Sequence, residues 1–135
     1  MKFKKVIKYI LLSLCSLLIL FACQSKSETD PDPSTKNNQV TIQIAVQGQE
    51  EKELSKSVSF EEGQDLLSIM KENYAIEEKQ GMITTIENLK ADQGDNQGRF
   101  WKLLVNDDMS ETGAQEIKPQ DQETITFDLT DDWSF

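Results

Sequence analysis

Histidine and cysteine, two side chains that catalytic sites use often, are absent or scarce in this 135-residue sequence. It contains no histidine and only two cysteines, Cys15 and Cys23. Without a histidine, the common pairs of a nucleophile and its general base cannot be assembled. Carboxylates are so numerous that adjacent pairs such as Glu61 and Glu62 are not diagnostic of a catalytic pair. The sequence therefore predicts a protein that is not an enzyme and has no catalytic residues.

Cys23 is the one thiol whose surroundings indicate chemistry. Four lysines precede an uncharged, mostly apolar run over residues 9–22, which ends on the small residue Ala22 immediately before Cys23. The stretch Leu20-Phe21-Ala22-Cys23 resembles the lipobox of bacterial lipoproteins. This resemblance implies diacylglyceryl transfer to the Cys23 thiol and cleavage before it. Two alternatives stay open, an ordinary signal peptide in which Cys23 is incidental and a membrane anchor that is never cleaved.

The same resemblance divides the chain into three segments. These are a signal peptide over residues 1–22, a lipidated cysteine with a disordered tether over 23–39, and one small domain over 40–135. Residues 24–39 contain no hydrophobic side chain and include Pro31 and Pro33, which is typical of a flexible linker. Two acyl chains hold a protein stably on a bilayer. We therefore expect a protein lipid-anchored through Cys23 to the extracytoplasmic face of the cell membrane.

The charge of the exported part limits its partners. Ten basic and 24 acidic residues follow residue 22, which gives a net charge of −14. Such a field repels nucleic acid, so nucleic acid is not expected as a partner. Cys15 lies in the predicted signal peptide. No cysteine therefore remains for disulfides or metal once the signal peptide is removed and Cys23 is lipidated. The loop over residues 92–98 is rich in oxygen ligands but lacks the spacing of a calcium-binding loop, so no metal site is expected.

Phe100 and Trp101 are the aromatic residues best placed to contact a ligand. They are adjacent in a predicted strand, so their side chains point to opposite faces. In one interpretation, one ring packs in the core and the other covers the sheet. In the other, the exposed ring and the loop that ends at Arg99 form a platform for a flat ligand such as a corrin. Asn106 could bond a ligand amide, or its own backbone in a turn.

Hydrophobic periodicity predicts the elements that position these residues. Alternation with period two indicates strands, and apolar residues at positions 66, 67, 70 and 74 indicate a helix. The predicted strands cover 40–47, 54–60, 83–86, 100–106 and 124–129, and the predicted helix covers 65–74. This order, ββαβββ, predicts the α+β class and a single β-grasp-like domain, in which one mixed sheet packs on one helix.

The order of these segments resembles the transcobalamin C-terminal-domain-like family over residues 40–129. The residues that carry the resemblance are Leu66-Leu67-x-x-Met70, Ile83-Thr84-Thr85-Ile86 and Gly98-Arg99-Phe100-Trp101-x-x-x-x-Asn106. Two turns depart from the family pattern. Asp107 replaces the usual glycine after Asn106, and Asp121-Gln122-Glu123 stands where the family tends to have Gly-Asp.

The resemblance implies cobalamin as a ligand. In transcobalamin this small domain closes over cobalamin that a large helical barrel holds, and no such barrel is found here. If one face of a corrin buried about 200 Å² of apolar surface, the gain would be about 5 kcal/mol. Association costs about 4 to 15 kcal/mol, so this domain alone should bind cobalamin weakly.

Useful affinity would then need a second surface, such as a subunit of a membrane transporter. We therefore expect an accessory ligand-binding lipoprotein for uptake of cobalamin or a similar large nutrient, serving an energy-coupling-factor transporter. No intrinsic cofactor is expected, and the absence of histidine excludes imidazole coordination of cobalt by this chain. The alternative is a surface protein-protein interaction or adhesion module with no small-molecule ligand.

Overall fold

The structure is a computed structural model and describes residues 37–134. Within this range the chain forms one α-helix and nine strands, numbered here in chain order. The helix α1 is Leu66–Asn73. The strands are β1 Asn38–Val46, β2 Gln49–Glu50, β3 Lys56–Phe60, β4 Ile76–Lys79, β5 Met82–Ile86, β6 Leu89–Lys90, β7 Phe100–Val105, β8 Asp108–Met109 and β9 Thr124–Thr130.

The main sheet places the first and last long strands side by side at its centre. Its order is β2-β1-β9-β7-β8, and β3 also pairs with β1. Strands β1 and β9 are parallel, with Ile42 opposite Ile125 and Ile44 opposite Phe127. The pairs β1–β3 and β7–β9 are antiparallel. A mixed sheet of this order with a single helix confirms the predicted α+β class and the single β-grasp-like domain.

The core lies between one face of this sheet and α1. Alternate residues of the central strands are fully buried, as period-two patterning requires, and the apolar stripe of α1 packs against them. The predicted helical stripe is buried throughout. The buried residues of these elements are Val40, Ile42, Ile44, Ile125 and Phe127 from the sheet, and Leu66, Leu67, Ile69, Met70 and Tyr74 from the helix and its end.

The start of α1 is fixed by hydrogen bonds from both sides. Asp65 is the N-cap, and its Oδ1 accepts from the backbone N–H of Ser68 at 2.9 Å. This hydrogen bond, with a second from the Ser68 hydroxyl, lowers the pKa of the Asp65 carboxyl. The first N–H groups of the helix donate to carbonyls of a later loop, Leu66 to Ile117 at 2.8 Å and Leu67 to Ala114 at 3.0 Å. The loop after β8 is therefore tied to the helix.

A second, three-stranded sheet lies outside the main one. Its order is β4-β5-β6 and both of its pairs are antiparallel. The predicted strand over 83–86 belongs to this sheet, whereas the sequence indicated a single mixed sheet. The sequence did not predict β4 because Ile-Glu-Glu-Lys has one apolar residue and so shows no alternation. The turn at Gln80 and Gly81 nevertheless folds β4 onto β5.

Most of the N-terminal part predicted from the sequence lies outside this range. The predicted signal peptide over 1–22, the predicted lipidation site Cys23 and residues 24–36 of the predicted tether lie outside the described residues. Strand β1 begins at Asn38, two residues before the apolar alternation that indicated it. Between residues 37 and 134, no helix has the length and apolar character needed to cross a membrane.

Candidate functional site

A groove of about 550 Å³ lies where the second sheet meets the outer strand of the main sheet. Its walls come from β5, from β7 with the loop before it, and from the loop at residues 110–114 that follows β8. The hydrogen bond from the N–H of Leu67 in α1 to the carbonyl of Ala114 holds this last loop in place. The lining is mostly apolar and includes three of the four ligand-contact residues predicted from the sequence, namely Arg99, Phe100 and Trp101.

All the large apolar side chains that are exposed in the described part of the chain line this groove. They are Met82, Met109 and Trp133, with exposed fractions of 64%, 38% and 65%. These residues come from β5, β8 and the C-terminal segment, so the fold brings them together from distant parts of the sequence. Exposed apolar side chains that converge on one concave surface are typical of a binding site.

The two adjacent aromatic residues have different surroundings. Trp101 packs partly buried against the core, and its indole Nε1–H donates to the carbonyl of Thr84 at 3.3 Å. Phe100 stacks on Trp133, with ring centroids 3.9 Å apart and ring planes at 24°. Phe100 and Trp101 are both half-buried, and both line the groove. Trp101 therefore joins the groove to the core, and Trp133 covers Phe100.

The C-terminal segment that carries Trp133 is held by a small set of hydrogen bonds. Lys102 Nζ donates to the carbonyl of Ser134 at 2.7 Å, and the N–H of Asp132 donates to the hydroxyl of Thr130 at 3.0 Å. The backbone N–H and the hydroxyl of Ser134 both donate to the Asp132 carboxylate. The backbone hydrogen bond from Ser134 is the main cause that lowers the pKa of Asp132. These contacts position the Trp133 ring over Phe100.

The loop before β7 is closed by its own side chains. Asp92 Oδ1 accepts from the N–H of Gly98 and from Gln97 Nε2, each at 2.9 Å. Arg99 Nη1 donates to Asn96 Oδ1 at 2.8 Å, so the Arg99 guanidinium is already engaged within the loop. In residues 37–134, no group of three or more acidic side chains is arranged to hold a metal ion.

Asn106 does not line the groove. It lies in the turn between β7 and β8, where its φ is 50° and that of Asp107 is 70°. Its Oδ1 accepts from the backbone N–H of Thr124 at 2.9 Å, which ties this turn to the start of β9. The side chain thus fastens the protein's own backbone in a turn, and a ligand contact by Asn106 stays a prediction.

Met82, Met109 and Trp133 were not named as site residues from the sequence. Each methionine lies in a short strand next to a hairpin turn, Met82 after Gly81 and Met109 after Asp108. An exposed apolar residue beside a polar turn is the only signal that marks them. Cys23, the predicted lipidation site, lies outside the described residues.

Comparison with solved structures supports the fold. A crystal structure of a protein from Ruminococcus gnavus, described as a candidate metal-binding protein, matches with a TM-score of 0.51 and 16% identity, over 71% of this chain and 99% of that one. Haptocorrin in complex with Cbi (cobinamide) matches with a TM-score of 0.51 and 18% identity, over 71% of this chain. The matched part spans only 26% of the haptocorrin chain.

Sequence comparison gives the family. No curated protein sequence matches this chain. One family model does match, that of a domain of unknown function designated DUF4430, over residues 63–131. This range is just over half of the 135 residues and runs from the turn before α1 through the end of β9. The chain belongs to the DUF4430 family.

Proposed function

We propose that this domain is a non-enzymatic binding module whose groove holds a large, flat, mainly apolar ligand, with cobalamin as the first candidate. The observation that carries the proposal is the convergence of Met82, Met109 and Trp133 on one groove. These side chains expose apolar surface to water, and covering them with an apolar ligand releases water from all three. The flexible thioethers of the methionines suit an irregular ligand surface.

The aromatic lining of the groove also supports a flat ligand. Three aromatic residues line the groove, Phe100, Trp101 and Trp133, and Phe100 stacks on Trp133. Aromatic faces stack well on planar conjugated systems. The similarity of the fold to haptocorrin, which was solved in complex with Cbi, makes a corrinoid the first ligand to test.

The groove offers one wall of a site rather than an enclosure. A groove of about 550 Å³ is of the size that holds drug-sized ligands, and a corrinoid would extend beyond it. We therefore propose that a partner covers the outer face of the ligand. A subunit of an energy-coupling-factor transporter fits this role, which would make the protein an accessory component of an uptake system.

The proposed location follows from the N-terminal sequence. The lipobox-like Leu20-Phe21-Ala22-Cys23 supports a protein anchored by lipid on the extracytoplasmic face of the membrane. Residues 24–37, which precede β1, would then let the domain move about 20 Å from its anchor, enough to reach a neighbouring membrane protein. Acyl-chain labelling that is lost in Cys23→Ala tests this part of the proposal, and labelling that persists in the variant contradicts it.

Ligand binding is tested by tryptophan fluorescence. The chain has two tryptophans, Trp101 and Trp133, and both line the groove, so quenching reports on this site. The full chain in mild detergent is titrated with cobinamide and with cyanocobalamin, with correction for the absorbance of each ligand. Haem serves as the control for nonspecific binding of flat rings.

Saturable quenching by the corrinoids and not by haem is the expected result. A weak dissociation constant would agree with a site that a partner completes. Absence of saturation up to millimolar corrinoid contradicts binding by this domain, and a pull-down of membrane proteins then tests the module for a protein partner instead.

A further inference from the structure

Backbone groups of β7 point alternately to the two sides of the strand. The N–H of Asn106 donates to Thr124 at 2.7 Å, and Leu104, Lys102 and Phe100 face β9 in the same register. The odd-numbered residues of β7 therefore direct their N–H and C=O groups to the outer side. This is the side on which the groove lies.

Neighbouring segments occupy most of this outer edge. The carbonyl of Arg99 accepts from the N–H of Asp92 at 3.0 Å, and the carbonyl of Leu103 accepts from the N–H of Ser110 at 2.9 Å. Further along, Val105 pairs with Asp108 of β8. Between these segments, the N–H and C=O of Trp101 have no hydrogen-bond partner among residues 37–134.

The free part of the edge is too short for an added strand. Arg99 and Leu103 are four residues apart, which is about 13 Å at roughly 3.3 Å per residue, and a hydrogen-bonded segment stands at each end. A ligand that fills the groove removes the Trp101 N–H and C=O from water. This costs free energy unless the ligand replaces the hydrogen bonds that these two groups made with water. A ligand that fills the groove therefore needs one acceptor and one donor side by side.

The negative charge of the domain limits which polar group a ligand can present to the Trp101 backbone. Residues 37–134 contain eight basic and 21 acidic side chains, a net charge of −13, and this field disfavours an anion. A carboxylate also lacks a donor for the Trp101 carbonyl, and an ammonium group lacks an acceptor for the Trp101 N–H. A primary carboxamide or a lactam is neutral and offers both.

We propose that the Trp101 backbone is a recognition point for a carboxamide or lactam on a ligand whose apolar body lies in the groove. This inference rests on the proposed ligand-binding function of the groove. It adds a specificity element that a purely apolar surface would lack, because an isosteric acid would fill the same space without matching the two backbone groups.

The test uses a matched set of small flat probes and the full chain, isotope-labelled, in mild detergent. The probes are 2-naphthamide, 2-naphthoate and N,N-dimethyl-2-naphthamide, which share one ring system and differ in the polar group. Amide NMR follows the N–H of Trp101. The N–H of Lys102, which faces β9, serves as the internal reference. Cobinamide is titrated in parallel by tryptophan fluorescence.

We expect the amide probe to shift the Trp101 proton downfield, to slow its exchange with solvent and to leave Lys102 nearly unchanged. The dimethyl and carboxylate probes should bind about five- to tenfold more weakly, as expected for a lost hydrogen bond. Equal binding of the three probes, or an unchanged Trp101 proton at saturating amide, overturns the inference. Cobinamide quenching that persists in that case leaves the proposed function standing, and its absence removes both.

Discussion

The ring of Trp133 covers that of Phe100, with centroids 3.9 Å apart, although Trp133 itself is 65% exposed. The contact joins the C-terminal segment to the first residue of β7 at the edge of the groove. A stacked aromatic pair contributes about 0.5 to 1.5 kcal/mol beyond the area that it buries. The pair therefore helps to keep the Trp133 ring in place at the groove. Its energy is small enough for a bound ligand to move that ring.

Replacing Trp133 should weaken ligand binding more than it weakens folding. Trp133→Ala removes an exposed ring, so we expect a stability loss of about 1 kcal/mol and at least a fivefold loss of corrinoid affinity. Trp101→Ala is the matched change, and because Trp101 packs on the core we expect it to cost about 3 kcal/mol or more of stability. Thermal unfolding and calorimetric titration separate the two effects. Unchanged affinity in a folded Trp133→Ala would exclude a ligand contact by this ring.

The exposed methionines should contribute to affinity with little effect on stability. For Met82→Ala we expect corrinoid affinity to fall about five- to thirtyfold, because a covered methionine contributes about 1 to 2 kcal/mol. Met109→Ala should have a smaller effect, since this side chain is already less exposed. Gln49→Ala, an exposed change in β2 that does not line the groove, serves as control. Equal affinities in all three variants would contradict the groove as the site.

The Asp65 cap should be a local stabiliser of α1. Asp65→Ala leaves the N–H of Ser68 without its acceptor, and we expect a loss of about 1 kcal/mol in the free energy of unfolding. Because the pKa of Asp65 is lowered in the folded state, its contribution is complete above the unfolded pKa of 3.8 and is lost as the pH falls through the folded value. Denaturant unfolding at pH 7 and pH 3 should show a smaller difference between wild type and variant at the lower pH. Exposed Glu62→Ala is the control.

The turn after β7 should accept glycine with a gain in stability. Asn106 and Asp107 both have positive φ, a conformation that favours glycine at the second position of such a hairpin turn. Asp107→Gly should raise the free energy of unfolding by about 0.4 to 1 kcal/mol. Gly63→Ala tests the same principle in reverse, because Gly63 has a φ of 85° and no atom near its added Cβ, so only backbone strain opposes the change. A destabilised Asp107→Gly would indicate that the Asp107 carboxylate has a structural role.

Tyr74 should make the fold sensitive to alkaline pH. Burial, with a smaller effect of Glu87, raises the pKa of the Tyr74 hydroxyl to about 12, and the hydroxyl donates to the carbonyl of Leu54 at 2.9 Å. A raised pKa stabilises the folded state below the unfolded value near 10, and this stabilisation is lost as the pH rises from about 10 to 12. Unfolding measured between pH 8 and pH 11 should show a decline that is smaller in Tyr74→Phe. Equal declines in both proteins would assign the alkaline sensitivity to other groups.

Local patterns predicted the main sheet and the helix because their residues bury one face each. The apolar spacing of Leu66, Met70 and Tyr74, preceded by Asp65, located α1 to within a residue at each end. The alternation of Ile125, Phe127 and Leu129 located β9 in the same way. An element that buries one face has apolar residues at regular spacing in its sequence, so these elements were predictable.

The second sheet and the groove have no such regular spacing of apolar residues in the sequence. Strand β4 is mostly charged, and β8 has only two residues, so neither shows a period. The groove depends on contacts between distant segments, such as Phe100 with Trp133 and Trp101 with Thr84. Phe100 and Trp101 could be named from their residue types, whereas the methionines could be found only after the fold had brought them together.

The parallel pairing of β1 with β9 has a consequence for the order in which the molecule can form. Partners such as Gln43 and Thr126, whose side chains meet at 3.1 Å, are 83 positions apart in the chain. Among residues 37–134, β9 supplies the only ladder that links β1 to β7, so a nascent chain that stops before Thr124 lacks the middle of its sheet. Long-range pairing of this kind is slow and cannot start early. The centre of the main sheet can therefore form only after residues 124–130 have been added to the chain.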